Sequence, residues 1–198
     1  MRENIVKFIL ISILIGLVGT SPAGAQSDWL TFRSTQYKFR FTYPHDWHIS
    51  TPRGPNVRGS VSSPNNKPSA NCNIVVRYVS ELSRYTQVEL DGEVNASEWS
   101  KRDWEKMLSE KFPDVHIIET RKIKVDNRPA QSAVAMYSYE TIKAKLYVKS
   151  MFFYKVTPGL TWHFTCGAGG GTYREAEQNF EYWKATFLRI VSSFVFED

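Results

Sequence analysis

The chain has 198 residues, with 25 Lys+Arg against 20 Asp+Glu and a formal net charge of +5. A balance this mildly basic excludes the strong positive bias of nucleic-acid-binding domains, so we expect no nucleic-acid partner. The length and the absence of an internal repeat indicate one domain.

The N-terminus has the three parts of a secretory signal peptide. Two basic residues, Arg2 and Lys7, precede an apolar run over residues 8–18. This run is shorter than the ~20 residues that span a bilayer. Small residues at 23–25 follow, where a signal peptidase cleaves. We therefore expect residues 1–25 to be removed and residues 26–198 to form a single domain, periplasmic or secreted and not membrane-spanning. The alternative is an uncleaved anchor.

The first half of the mature chain predicts strands and then a helix. Residues 37–43 alternate aromatic with polar side chains, which is typical of a half-buried strand. Residues 60–71 are rich in Pro, Asn and Ser and indicate a loop, and the β-branched run 73–79 indicates a central strand. After Ser100, apolar residues recur at helical spacing up to Pro113, where we expect the helix to end.

The second half predicts two hairpins and a long final helix. Strand-like runs stand in pairs, 115–125 with 130–141 and 145–156 with 160–166. The glycine-rich run 167–171 is expected to be a flexible connector, with a weak anion site as the alternative. Beyond it lies an amphipathic helix whose aromatic stripe belongs in a core. Together these elements predict an α+β domain with a mostly antiparallel sheet.

Two cysteines, Cys72 and Cys166, lie beside strand-like runs. An oxidising compartment favours pairing of an even number of cysteines, so we expect a disulfide if those strands are neighbours. A loop of about 95 residues would be worth about 4 kcal/mol in the chain-entropy model.

Four short motifs, in this order and spacing, together resemble the PsbP-like family. They are Tyr37-x-Phe39-x-Phe41-x-Tyr43-Pro44-x-x-Trp47, the strand 73–76, the hairpin 125–130 and the closing 190–194. The resemblance implies an α/β/α sandwich, with a central, mostly antiparallel sheet flanked by helices. It also implies a binding or accessory role, because most members of the family are not enzymes.

One turn contains residues that could bind a metal ion. His45, Asp46 and His48 stand close in sequence, and imidazole with carboxylate suits zinc or copper. The alternative is an exposed polar turn with no ligand. His116 and His163 fall in strand runs, where an ordinary half-buried histidine is the simpler interpretation.

The chain contains no G-x-S-x-G, H-E-x-x-H or phosphate-loop motif, so we expect no enzyme activity and no cofactor. The leading hypothesis is an exported, non-catalytic accessory or binding module of the cell envelope that docks on a protein partner. The alternative is a small-ligand or metal-binding periplasmic protein. The sequence does not specify an oligomeric state.

Overall fold

The structure, a computed structural model, describes residues 28–52, 54–112, 114–142 and 144–197. The expected signal peptide and Pro113 lie outside these residues. In the described part of the chain, no helix is both long enough and apolar enough to cross a bilayer.

The described residues form strands, three α-helices and one short 3-10 helix (Ser80–Arg84). The helices are α1 (Gln87–Ala96), α2 (Lys101–Ser109) and α3 (Tyr173–Ser192). The strands are β1 (Trp29–Ser34), β2 (Phe39–Pro44), β3 (His48–Ile49), β4 (Val57–Ser62), β5 (Ala70–Tyr78), β6 (His116–Val125), β7 (Arg128–Glu140), β8 (Lys145–Thr157), β9 (Leu160–Gly170) and β10 (Val195–Phe196).

The strands form two antiparallel sheets. The small sheet has the order β1-β2-β10, and the large sheet has the order β3-β4-β5-β9-β8-β7-β6. Helix α3 packs on β9, β8 and β2, whereas α1 packs on β7 and β8 and α2 on β6. Phe152 and Phe153 of β8 enter separate hydrophobic clusters, so the helices cover opposite faces of the large sheet. The predicted α+β class and the antiparallel sheet flanked by helices are confirmed.

The larger core lies between α3, β2 and the large sheet. Phe39, Phe41 and Tyr43 are buried and alternate with more exposed polar residues, as the sequence predicts. Rings from α3 meet them, and the indole of Trp183 packs edge-on against that of Trp47 at 5.1 Å. The aromatic stripe of the last helix is therefore core, because each ring removes a large apolar surface from water.

Cys72 and Cys166 occupy directly facing positions on β5 and β9 and form a disulfide, with their Cα atoms 4.1 Å apart. The two strands are neighbours in the sheet, as the predicted disulfide requires. The sequence alone could not establish that neighbourhood. The bond lies within the larger core.

The loop expected at residues 60–71 is shorter in the structure. Strand β4 continues to Ser62 and β5 begins at Ala70, so only 63–69 connect them. Ser60 is buried and its hydroxyl donates to Asn73 Oδ1 at 2.8 Å. The prediction was wrong at both ends because cross-strand hydrogen bonds offset the weak strand preference of Ser and Asn.

Helix α1 was not predicted, although its start has a clear signature. The Thr86 hydroxyl accepts from the Glu89 backbone N–H, and the Glu89 carboxylate accepts from the Thr86 backbone N–H, which makes a capping box. Only Leu90 and Val94 of this helix are buried. Such a narrow apolar stripe gives a weak helical pattern in the sequence.

The glycine-rich run 167–171 is not a flexible connector, because β9 continues through Gly170. A Cβ at Gly167 would overlap the Ser150 hydroxyl across the strand pair. At Gly170 a Cβ would lie 2.7 Å from the backbone nitrogen of Ala176, in the first turn of α3. These glycines permit close packing of β8, β9 and α3.

We expect Gly170→Ala to destabilise the fold by about 1–3 kcal/mol, because the added methyl group meets backbone that cannot rotate away. Gly92→Ala is the matched control. Nothing lies within 4 Å of its Cβ position in α1, so it should stabilise by about 0.5–1 kcal/mol through helix propensity. Urea denaturation measures both changes. An unchanged midpoint for Gly170→Ala would contradict this packing.

Candidate functional site

A pocket of 260 Å³ opens where several turns and strand ends meet at one end of the domain. We call it the end pocket, and its lining residues are Tyr37, Lys38, Gln87, Arg128, Thr157, Phe196 and Glu197. They come from the β1–β2 turn, the first residue of α1, the start of β7, the end of β8 and the C-terminal segment. Residues distant in sequence therefore share one concave surface.

The tight turn between β6 and β7 helps to build the pocket. Asp126 and Asn127 have φ of 51° and 59°, and Val125 pairs with Arg128, which is the geometry of a two-residue hairpin turn that suits Asp and Asn. The Asp126 carboxylate also accepts from the Phe196 backbone N–H at 3.1 Å. The turn thus places Arg128 at the pocket and holds the C-terminal strand beside it.

A partly buried ion pair adjoins the pocket, because its acidic member, Asp91, contacts Gln87 and Arg128 of the lining. The side chain of Lys155 is 1% exposed, and its ammonium donates to Asp91 Oδ1 at 3.2 Å and to the Pro129 carbonyl at 3.1 Å. The Gln87 amide donates to the same Asp91 oxygen at 2.8 Å. Burial lowers the pKa of Lys155, and the bond to Asp91 opposes that change.

The sequence analysis did not predict this ion pair, although one residue of the pair stands out in the sequence. Lys155 stands in the otherwise apolar end of the run 145–156, where a charged residue is unusual unless it is paired. The partner on α1 could not be named, because α1 itself was not predicted.

The polar groups of the pocket are suited to recognition of a charged or polar group. Glu197 lies between two guanidinium groups, 2.7 Å from Arg33 Nε and 3.3 Å from Arg40 Nε. The Thr157 hydroxyl accepts from the Trp162 indole N–H at 2.9 Å. The side chain of Arg128 is 47% exposed, and its Nη1 lies 3.9 Å from Asp91 Oδ2.

The structure does not bring His45, Asp46 and His48 together. His45 Nδ1 lies 3.2 Å from the Asp28 carbonyl, and the Asp46 carboxylate is bonded at 2.7 Å to the Lys67 ammonium. His48 is exposed at the edge of the large sheet, in β3. Within the described ranges no group of three or more His, Cys, Asp or Glu is arranged to hold a metal ion. The geometry thus gives no support to the metal site predicted from this turn.

The two remaining histidines differ in environment. His116 is exposed on the edge strand β6. His163 is half-buried on β9, and its ring packs edge-on against Tyr154 at 4.9 Å. Burial, reinforced by the charges of Arg77 and Lys111, lowers the pKa of His163 to about 4.

No protein-family model matches the chain, and no curated protein matches its sequence. Solved structures do resemble it. The solution structure of cyanobacterial PsbP (CyanoP) from Synechocystis sp. PCC 6803 is 13% identical, with a TM-score of 0.51, over 91% of this chain and 99% of that chain. The Ran-binding protein Mog1p of Saccharomyces cerevisiae is 8% identical, with a TM-score of 0.52, over 86% of this chain and 96% of that chain.

Both likenesses show a shared fold. At such identities they show the fold alone, so the resemblance to the PsbP-like family that the motifs indicate holds at the level of architecture. What this chain binds has to be argued from its own surface.

We expect Asp91→Asn to lower the free energy of unfolding at pH 7 by about 2–3 kcal/mol, because it leaves the buried ammonium of Lys155 without its counter-charge. Lys155→Met should cost less, since Asp91 keeps Gln87 and Arg128 as partners. Raising the pH toward 10 should shrink the deficit of Asp91→Asn, because the buried lysine can then lose its proton. Urea titrations at pH 7 and pH 10 test this, and equal losses for both variants would contradict it.

Stability should fall as the pH drops from about 6.5 to about 4, because the unfolded chain protonates His163 in this range while the folded chain does not. His163→Gln should flatten this slope, and the exposed His116→Gln should leave it unchanged. Denaturation midpoints across the range measure the slope, and NMR titration of the His163 ring should give a midpoint near 4. A midpoint above 6 would contradict the burial argument.

Proposed function

We propose that this protein is an exported, non-catalytic binding module of the cell envelope that docks on a protein partner. A cross-strand disulfide in the core supports an oxidising compartment, since such bonds persist outside the cytosol. The predicted signal peptide over residues 1–25 supports export.

The observation that carries the docking proposal is a group of exposed aromatic and apolar side chains beside the end pocket. Tyr78 is 73% exposed and Val88 is 82% exposed. Val88 directly follows Gln87 of the pocket, and the ring of Tyr78 lies against the β8–β9 turn, at Gly159. A single exposed apolar side chain is ordinary, but apolar side chains exposed together beside a pocket are typical of surfaces that become buried on binding.

A tyrosine and an arginine reinforce this surface. The guanidinium of Arg84 lies 4.9 Å from the ring centre of Tyr85 and donates to its hydroxyl at 2.9 Å. Tyrosine and arginine are enriched among the residues that dominate binding energy at protein interfaces. We call Tyr78, Arg84, Tyr85 and Val88 the docking surface.

A non-catalytic role is supported by the way the polar groups of the pocket are used. Thr157 accepts from Trp162, Gln87 donates to Asp91, and Glu197 is held between two arginines. These bonds fix the architecture. The pocket alone favours the alternative, a small-ligand protein. At 260 Å³, however, it is at the lower end of the volumes of ligand sites, and it also has room for a protruding side chain of a partner.

A photo-crosslinking residue placed at Tyr78 should give a discrete adduct with an envelope protein, measured by mass spectrometry after irradiation of intact cells. Val88→Asp in the same protein should weaken the adduct about tenfold, because an apolar contact of this size is worth about 1.5 kcal/mol or more. Leu188→Asp is the matched control, since Leu188 is 51% exposed on α3 and does not line the pocket. No adduct at Tyr78, or equal loss with both substitutions, would contradict docking at this surface.

A further inference from the structure

Arg128 carries donors that the rest of the described chain does not use. Its contact with Asp91 is long, at 3.9 Å, and the other oxygen of Asp91 already accepts from Lys155 and Gln87. The side chain is half exposed at the pocket. A guanidinium in this state can still offer a planar pair of N–H donors to an incoming carboxylate.

Lys38 supplies a second cation at the pocket. Its backbone has a φ of 51°, a left-handed conformation that costs a lysine roughly 1 kcal/mol and that Gly or Asn would adopt more easily. Its carbonyl accepts from the Glu197 backbone N–H at 2.7 Å, which fixes the turn against the C-terminal segment. In the described ranges the ammonium has no acidic partner. A strained lysine at a pocket lining is a feature that a ligand can explain.

The acidic groups nearby neutralise these cations only in part. Glu197 is shared by Arg33 and Arg40, and Asp91 is shared by Lys155 and Arg128. A third carboxylate, Asp126, accepts from the Phe196 backbone N–H. Among the described residues, three carboxylates (Glu197, Asp91, Asp126) therefore stand against five cations (Arg33, Arg40, Lys155, Arg128, Lys38) at this end. The end pocket therefore has an excess of positive charge, which favours an anionic occupant.

We propose that the end pocket binds a side-chain carboxylate of an acidic peptide segment, with Arg128 as the bidentate donor and Lys38 as the second positive charge. This inference rests on the proposed function and names the chemistry of the partner. The docking surface then receives apolar residues on the flank of the acidic one.

The geometry favours a peptide over a lipid surface. A membrane attracts clusters of four to eight basic residues spread over a surface, whereas two cations, Lys38 and the loosely paired Arg128, line this pocket. The pocket has room for an acidic side chain, and the exposed Tyr78 and Val88 beside it fit apolar neighbours of that side chain. Both features match an extended acidic peptide with apolar flanks.

The test is a ¹⁵N NMR titration of the mature protein with the peptide Gly-Leu-Asp-Glu-Leu-Gly, and with Gly-Leu-Asn-Gln-Leu-Gly as the uncharged match, both acetylated at the N-terminus and amidated at the C-terminus. The acidic peptide should shift the amide resonances of Gln87, Arg128 and Thr157, and it should bind at least tenfold more tightly than the amide peptide.

Charge-removing variants test the two cations. The double variant Lys38→Gln with Arg128→Gln should bind the acidic peptide at least tenfold more weakly. Lys101→Gln with Arg102→Gln on α2 removes the same charge elsewhere and should change nothing. Lys38→Gly removes the ammonium as well, but glycine adopts the left-handed conformation of this residue without strain. Weaker binding by this variant would therefore come from the lost charge and not from a damaged fold.

In the titration, the inference is overturned by no binding of the acidic peptide, by equal binding of both peptides, or by equal loss of binding in the two double variants. Displacement of the acidic peptide by inorganic phosphate at a lower concentration than by acetate would assign the pocket to phosphate and also overturn it. An adduct at Tyr78 that persists in Lys38→Gln with Arg128→Gln would leave the proposed docking intact while this inference fails. If the protein with Lys38 and Arg128 intact gives no adduct at Tyr78, the proposed function itself fails.

Discussion

The pairing of β5 with β9 is the constraint on which the rest of the structure depends. The large sheet consists of a β3-β4-β5 meander and a β6-β7-β8-β9 meander, and this pair of strands joins them. The Cys72–Cys166 disulfide crosses the same pair. Ile74 from one meander and Phe164 from the other enter one core beneath α3, so the helix has a continuous surface to pack on only when the two meanders are joined.

The end pocket is a consequence of the same arrangement. The β6–β7 and β8–β9 turns come from the second meander, α1 follows β5, and the C-terminal segment returns beside β2. Bringing these ends together places several charged groups in one region. Most are satisfied by one another, as Glu197 is by its two arginines and Lys155 by Asp91. Lys38 and the loosely paired Arg128 remain, so the positive charge at this end is a by-product of how the fold closes.

Local patterns in the sequence predicted those parts of the fold that obey a simple period. The alternating residues of β2 and the aromatic stripe of α3 were visible because burial imposes periods of two and 3.6 residues. The pattern failed where contacts distant in sequence decide the structure. Gly167 and Gly170 are glycines because other elements approach them closely, and α1 folds on so few buried residues that its period is faint. The end pocket was unpredictable for the same reason, since Lys38, Gln87 and Arg128 meet only through tertiary structure.

The separation of the two cysteines has a consequence for the order of events during biogenesis. Cys72 and Cys166 are 94 residues apart, and most of the second meander lies between them. A chain emerging N-terminus first presents β5 with an open edge long before β9 exists to pair with it. An open edge of this kind is a template for aggregation, and pairing over such a distance is slow. Until β9 pairs with β5, the strand edge at the junction of the two meanders stays open. Protection of that edge by a chaperone would therefore matter most at this stage, before the fold is complete.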